Sequence, residues 1–242
     1  MKLLCDLGNT RLKWAWWDGV LSGFGSAFYA GENDFGSAFR ALEQRPSAVA
    51  AISVNPRSSL LFTEFCERYW RLTPRWYAAC REAGGIRSLY EPPETLGADR
   101  FAALAGARAR YGGRSLCVVD CGTAITVDAL DGEGVFQGGV IMPGLGVSAE
   151  ALRRAAPALP VIEETGVPSV LGRRTADALR GGLVIGAGGA IDRLLDEQRS
   201  RLSGDPLVVL TGGDALALAP HLKSRHEIAP HLTLEGLVVM TA

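Results

Sequence analysis

The first thirteen positions of the chain hold a compact set of reactive side chains. Asp6, Gly8, Asn9 and Thr10 interrupt the apolar run of Leu3, Leu4 and Leu7, and Arg11, Leu12 and Lys13 lead into Trp14 and Trp16 at period two. A carboxylate beside amide and hydroxyl donors, around a bare glycine backbone, suits a loop wrapped around phosphates and a hydrated cation. Gly8 and Asn9 equally suit the positive φ of a plain hairpin turn, so this stretch alone leaves both readings open. The same grammar returns nearly half the chain later. Asp120, one residue, Gly122 and Thr123 again separate two apolar strands. Two acidic glycine turns in one chain point to two related halves, each offering such a hairpin to a shared ligand cleft.

Two further segments carry chemistry. In "VVLTGGDAL" a strand ends at Gly212 and Gly213, and Asp214 is placed to cap a following helix. This is either a tight strand-to-helix turn or a flat glycine surface for the adenosine of a nucleotide. The chain has no GxxxxGK[ST] loop, and no GxGxxG follows its first strand. Nucleotide binding therefore has to use neither of the two commonest phosphate-loop designs. In "LGADRFAALAGARARY", Asp99 precedes an apolar-periodic run and suits an N-cap, while Gly97 and Arg100 flank it.

The elements that must hold these residues alternate between strand and helix. Ala48–Val54 reads as a buried strand, followed by a helix with Asn55 as cap and Pro56 at its first position. "PRWYAA" reads as a strand, and the helix after Gly97 ends at Gly112 and Gly113. In the second half, "GVFQGGVIMPG" continues the sheet begun at Leu116. Ser148–Leu159 and Thr175–Gln198 read as helices, with Thr175 as a cap, and "PLVVL" as a strand. The expectation is an α/β protein with mixed sheets, divided near Tyr111–Ser115 into residues 1–112 and 113–242.

Composition narrows the classes. The 242 residues are 48% hydrophobic and 21% charged, as in an ordinary globular protein, and a formal net charge of −1 argues against nucleic acid as the main partner. No apolar run approaches the roughly 20 residues that span a bilayer, and "MKLLC" is too short for a signal peptide. The expected location is the cytoplasm, with no membrane partner. Five scattered cysteines without a CxxC pair, and three histidines without metal-site spacing, favour small buried hydrophobes over zinc or redox chemistry.

"DLGNTRLK", "GADR", "VVDCGTAITVD", "GGVIMPG" and "LTGGDAL" occur in that order, and together the chain resembles a type III pantothenate kinase. The resemblance runs from Asp6 to Gly236. It implies the actin/hexokinase/Hsp70-like fold: two duplicated ribonuclease-H-like domains of mixed sheet and flanking helices, with ATP in the cleft between them. It implies transfer of the γ-phosphoryl group of ATP to the primary hydroxyl of pantothenate, the first step toward coenzyme A. On this footing Asp6, Leu7, Gly8, Asn9, Thr10, Arg11, Leu12, Lys13 and Thr123 are the expected ATP-binding residues. Asp6 holds hydrated Mg²⁺, Thr10 and Thr123 donate to phosphate, and Lys13 adds positive charge. Asp99 is the expected proton acceptor, and Arg100 the fork that grips the substrate carboxylate. Tyr90, Gly97 and Ala98 complete the substrate side, although Tyr90 equally suits a half-buried aromatic. The resemblance also implies a monovalent cation, K⁺ or NH₄⁺, beside Asp120. It further implies a homodimer in which Thr175 reaches the substrate from the partner subunit, packed through the Ala- and Gly-rich stretch from Ser148 to Leu195. A sugar- or acetate-type kinase of the same superfold, and a non-catalytic nucleotide-binding regulator, are the alternatives that the residues leave open.

Overall fold

The computed structural model describes residues 1–29, 32–40, 42, 44–162 and 167–241. The chain divides into two units, Met1–Gly112 with His231–Ala242, and Gly113–Pro230.

The first unit contains β1 (Lys2–Leu7), β2 (Arg11–Trp17), β3 (Leu21–Phe28), α1 (Glu32–Phe39), β4 (Ala48–Ser53), α2 (Pro56–Phe65) and β5 (Arg75–Tyr77). A short hairpin, β6 (Glu82–Ala83) and β7 (Ile86–Ser88), then precedes α3 (Ala98–Tyr111). The sheet order is β3-β2-β1-β4-β5. β1, β2 and β3 run antiparallel through tight turns, whereas β4 and β5 add in parallel to β1. Parallel addition requires crossovers, and α1 and α2 provide them. α2 starts where the sequence places it: the Asn55 side-chain oxygen accepts the backbone N–H groups of Arg57 and Ser58 at 3.1 and 3.3 Å.

Successive side chains of a strand point to opposite faces, and this parity places the chemistry. Leu3, Cys5 and Leu7 face one side, against Phe35, Phe39, Phe62 and Phe65 of α1 and α2. Leu4 faces the other, against Ala98 and Ala102 of α3. Both faces are covered, which explains why β1 reads as a nearly continuous apolar run. Asp6 shares the parity of Leu4 and so belongs to the face that α3 covers.

The second unit contains β8 (Leu116–Cys121), β9 (Ala124–Leu130), β10 (Val135–Pro143), α4 (Leu145–Ala155), α5 (Thr175–Arg199), β11 (Leu207–Thr211), α6 (Ala215–Leu218) and β12 (His226–Ile228). Its strand order, β10-β9-β8-β11-β12, repeats that of the first unit. Again the first three strands are antiparallel and the last two parallel. The duplication suspected from two turns thus extends to the whole strand topology. Cys117, Val119 and Cys121 pack against Ala187, Ile191 and Leu195 of α5.

Three local expectations shift. α4 ends at Ala155 rather than Leu159, because Pro157 has no N–H and disfavours the helical region at Ala156. Thr175 is the first residue of α5, with Arg174 at the cap position. The third concerns α7 (Leu232–Met240), an element the sequence reading does not separate from the second half. α7 lies against α3 in the first unit, so the division observed at the C-terminus differs from 113–242. The two helices meet at glycines: a Cβ on Gly236 would lie 1.7 Å from the Ala102 carbonyl oxygen, and one on Gly106 would lie 2.3 Å from the Leu232 oxygen. Arg110 and Glu235 close the same contact with a 2.9 Å ion pair. Among the described residues no helix is long and apolar enough to cross a membrane.

Candidate active site

The β1–β2 turn is drawn tight by the Gly8 N–H, which donates to the Arg11 carbonyl at 3.0 Å. Antiparallel pairing sets Asp6 opposite Lys13, and Lys13 Nζ lies 3.5 Å from Asp6 Oδ2. Asp6 is 4% exposed. Burial pushes its pKa up, the Lys13 ammonium pulls it down, and the negative charge of Asp99 pushes it up again. The last effect brings Asp99 into the electrostatic surroundings of the turn, as the shared face of the sheet requires. Asn9, Thr10 and Arg11 are exposed, and the Arg11 guanidinium rests 4.0 Å over the Phe28 ring. Leu7 and Leu12 lie wholly in the core, so they offer a ligand only their backbone.

Asp99 is not the cap of α3. Gly97 holds that position, and Asp99 sits in the first turn, where its Oδ1 accepts the Arg100 N–H at 2.8 Å. A Cβ on Gly97 would come within 2.6 Å of the same oxygen, so a side chain there would displace the carboxylate. Arg100 is 7% exposed and donates through Nη1 to the Tyr90 hydroxyl at 3.1 Å. Tyr90, Gly97, Ala98, Asp99 and Arg100 therefore form one cluster. A cavity of about 670 Å³ adjoins it, bounded by Ser53, Leu60, Trp76, Thr95, Gly97 and Ala98.

In the second unit, the β8–β9 turn is closed by the Gly122 N–H donating to the Ala124 carbonyl at 3.0 Å. Two segments far away in sequence converge on it. The Gly144 N–H donates to the Thr123 carbonyl at 3.0 Å, and the Asp214 N–H donates to the Cys121 carbonyl at 2.9 Å. Gly212 has φ of +92°, and a Cβ on it would lie 2.4 Å from both Asp120 Oδ1 and the Cys121 oxygen. "DCGT", "GGVIMPG" and "LTGGD" are thus parts of a single backbone assembly around Asp120. Asp214 holds the cap position of α6 without a side-chain capping bond. A Cβ on Gly213 would meet open space, whereas Gly212 is needed for the turn itself. Opposite Asp120 stands Thr126, where the first unit has Lys13, and the Thr126 hydroxyl donates to the buried Asp128 at 3.1 Å. Burial pushes the Cys121 thiol up to about 12 and the Cys117 thiol up to about 11, which suits space-filling hydrophobes. Thr123 is exposed, as is Thr175 at the start of α5.

The sequence reading missed two contributors. Gly144 acts through what it lacks, and Tyr29 donates its hydroxyl to the Gly8 carbonyl. The cross-strand partnership of Asp6 with Lys13 was readable from their spacing across a short turn.

The chain matches the family model for type III pantothenate kinase over residues 2–197. It is 34% identical over 245 residues to the type III pantothenate kinase of Nitrosococcus oceani, covering 98% of this chain and 92% of that one. With the type III pantothenate kinase of Azoarcus sp. it shares 37% over 252 residues, covering 100% and 91%. Among solved structures, a Campylobacter jejuni protein provisionally described as a conserved Baf family transcriptional activator superposes with a TM-score of 0.64. Their identity is 22%, over 98% of this chain and 95% of that one. The activator of the 2-hydroxyisocaproyl-CoA dehydratase from Clostridium difficile, with bound ADPNP, gives a TM-score of 0.55 at 12% identity, covering 100% and 93%. These two likenesses concern the fold alone.

Proposed function

The chain belongs to the type III pantothenate kinase family, and from that premise we propose how its own residues divide the work. The reaction is ATP-dependent phosphorylation of pantothenate in coenzyme A biosynthesis, so the sugar-kinase and regulatory alternatives fall away. A bond forms between the primary hydroxyl oxygen of pantothenate and the γ-phosphorus. The bond from that phosphorus to the bridging oxygen breaks, and ADP leaves.

The observation that carries the assignment is that Asp6 lies on the sheet face covered by α3, close enough to Asp99 of that helix for the Asp99 charge to raise the pKa of Asp6. It joins the glycine turn, suited to phosphates, to a carboxylate suited to the hydroxyl proton. Asp99 orients the hydroxyl and takes its proton. In a loose transition state the proton leaves late, so orientation outweighs basicity. Arg100, steadied by Tyr90, grips the carboxylate of pantothenate, and Gly97 and Ala98 keep the approach open. The adjoining cavity is of a size for a small acyclic substrate. Asn9, Thr10 and Thr123 offer donors to ATP, and Arg11 and Lys13 offer positive charge. A buried carboxylate whose ionisation burial opposes fits a hard divalent cation, and we assign Asp6 to Mg²⁺ through water. When bound, Mg²⁺ neutralises charge on the phosphates. Asp120 fits a monovalent cation, K⁺ or NH₄⁺. A neutral hydroxyl stands opposite it instead of a lysine, and backbone packs against its oxygen too closely for any side chain.

Removing the fork tests the substrate end. Arg100→Ala, assayed by ADP release with and without pantothenate, is expected to raise KM for pantothenate by roughly ten- to a hundredfold and KM for ATP by far less. An equal rise in both would move Arg100 away from the carboxylate.

We also propose a cytoplasmic homodimer in which Thr175 serves the partner's site. Support comes from an apolar surface beside Thr175. Val167, Val170 and Leu171 are 90%, 77% and 80% exposed, and a Cβ on Gly182, Gly186 or Gly189 of α5 would meet open space. Patches of this kind mark association surfaces, and an exposed glycine stripe lets helices approach closely. Sedimentation equilibrium at micromolar concentration is expected to give twice the chain mass, and a single-chain mass would remove the proposal.

A further inference from the structure

Tyr29 follows β3 directly, and its hydroxyl donates to the Gly8 carbonyl. The Ser58 side chain lies close enough to the phenol to lower its pKa. Ser58 is itself buried in the first turn of α2, with its N–H held by Asn55. The Tyr29 ring packs on Phe35 at a centroid distance of 5.3 Å. Burial pushes the phenol pKa up, so the hydroxyl keeps the proton that it donates.

From these contacts we propose that Tyr29 is a positioning residue of the nucleotide loop, setting the direction of the Asn9 backbone N–H through the Gly8 carbonyl. In a trans peptide the carbonyl and the following N–H point in opposite directions. Once the Gly8 carbonyl is turned to Tyr29, the Asn9 N–H is turned away from it. The Gly8 N–H, in the preceding peptide plane, is engaged with Arg11, so the Tyr29 bond fixes the second of the two planes that meet at the Gly8 Cα. A glycine has the backbone freedom to flip, and a flipped plane would present a carbonyl oxygen where phosphate needs a donor. The proposal rests on the assignment of Asp6–Lys13 to ATP.

Tyr29→Phe keeps the ring against Phe35 and removes only the hydroxyl. It is expected to raise the Kd of a non-hydrolysable ATP analogue, measured by calorimetry, by roughly three- to tenfold, the worth of one hydrogen bond. KM for ATP should rise in parallel, with KM for pantothenate and thermal stability nearly unchanged. Unchanged analogue affinity in Tyr29→Phe, or an equal rise in both KM values, would overturn the role. Asp6→Asn measured alongside separates the two levels. If it weakens analogue binding while Tyr29→Phe does not, Tyr29 falls and the loop stands; if neither does, the loop assignment falls as well.

Discussion

Asp99→Asn is expected to lower kcat by roughly two to four orders of magnitude, the usual cost of removing a positioned proton acceptor. The substitution is isosteric, and an asparagine oxygen can still accept the Arg100 N–H that Asp99 accepts at 2.8 Å. Because Gly97 rather than Asp99 holds the cap position, the start of α3 loses no side-chain cap. Gly97 also leaves room for the amide where it leaves room for the carboxylate. Folding should therefore change little, which thermal melting checks. The substitution also removes a negative charge that raises the pKa of Asp6, so the turn should ionise more readily. ATP binding should therefore be preserved, which calorimetry with a non-hydrolysable analogue checks. Near-normal turnover in the purified variant would exclude Asp99 as the acceptor.

Asp6→Asn and Asp120→Asn are expected to fail in different ways, although the two residues occupy matching places in duplicated hairpins. Asp6→Asn should reduce turnover by roughly two orders of magnitude or more in any salt, because a neutral amide holds a hydrated divalent cation poorly. It should do so without loss of stability. Burial opposes ionisation of Asp6, so removing its charge relieves a desolvation cost, and Lys13 remains partly in water. Asp120→Asn should leave a low residual rate that no longer responds to K⁺ or NH₄⁺. The measurement is initial rate against KCl at constant ionic strength, balanced with tetramethylammonium chloride. An unmodified enzyme indifferent to K⁺ and NH₄⁺ would remove the cation from the site. An Asp120→Asn variant with an unchanged K⁺ response would place it elsewhere.

The sequence by itself determined what depends on neighbours along the chain. The turns at Gly8 and Gly122 are held by bonds that span two or three residues. The Asn55 cap with Pro56, and the end of α3 at Gly112, are equally local. Strand parity sorted Leu3, Cys5 and Leu7 from Leu4 and Asp6, and the repeated acidic turn disclosed two halves whose strand orders agree. Only the tertiary structure decided which distant segments meet. α7 joins α3 of the first unit because Gly106 and Gly236 let two backbones touch, a fit that depends on both helices at once. Gly212 and Asp214 meet the Asp120 turn because β11 adds in parallel to β8, and parallel pairing is set by a crossover rather than by a turn; Gly144 arrives there at the end of β10, which returns antiparallel along β9. Tyr29 reaches Gly8 because β3 returns along β2, bringing its end beside the first turn. Local spacing can announce a carboxylate or a glycine. Which surfaces close over them is settled by packing, since burial and backbone approach are properties of pairs of elements that the chain brings together only when it folds.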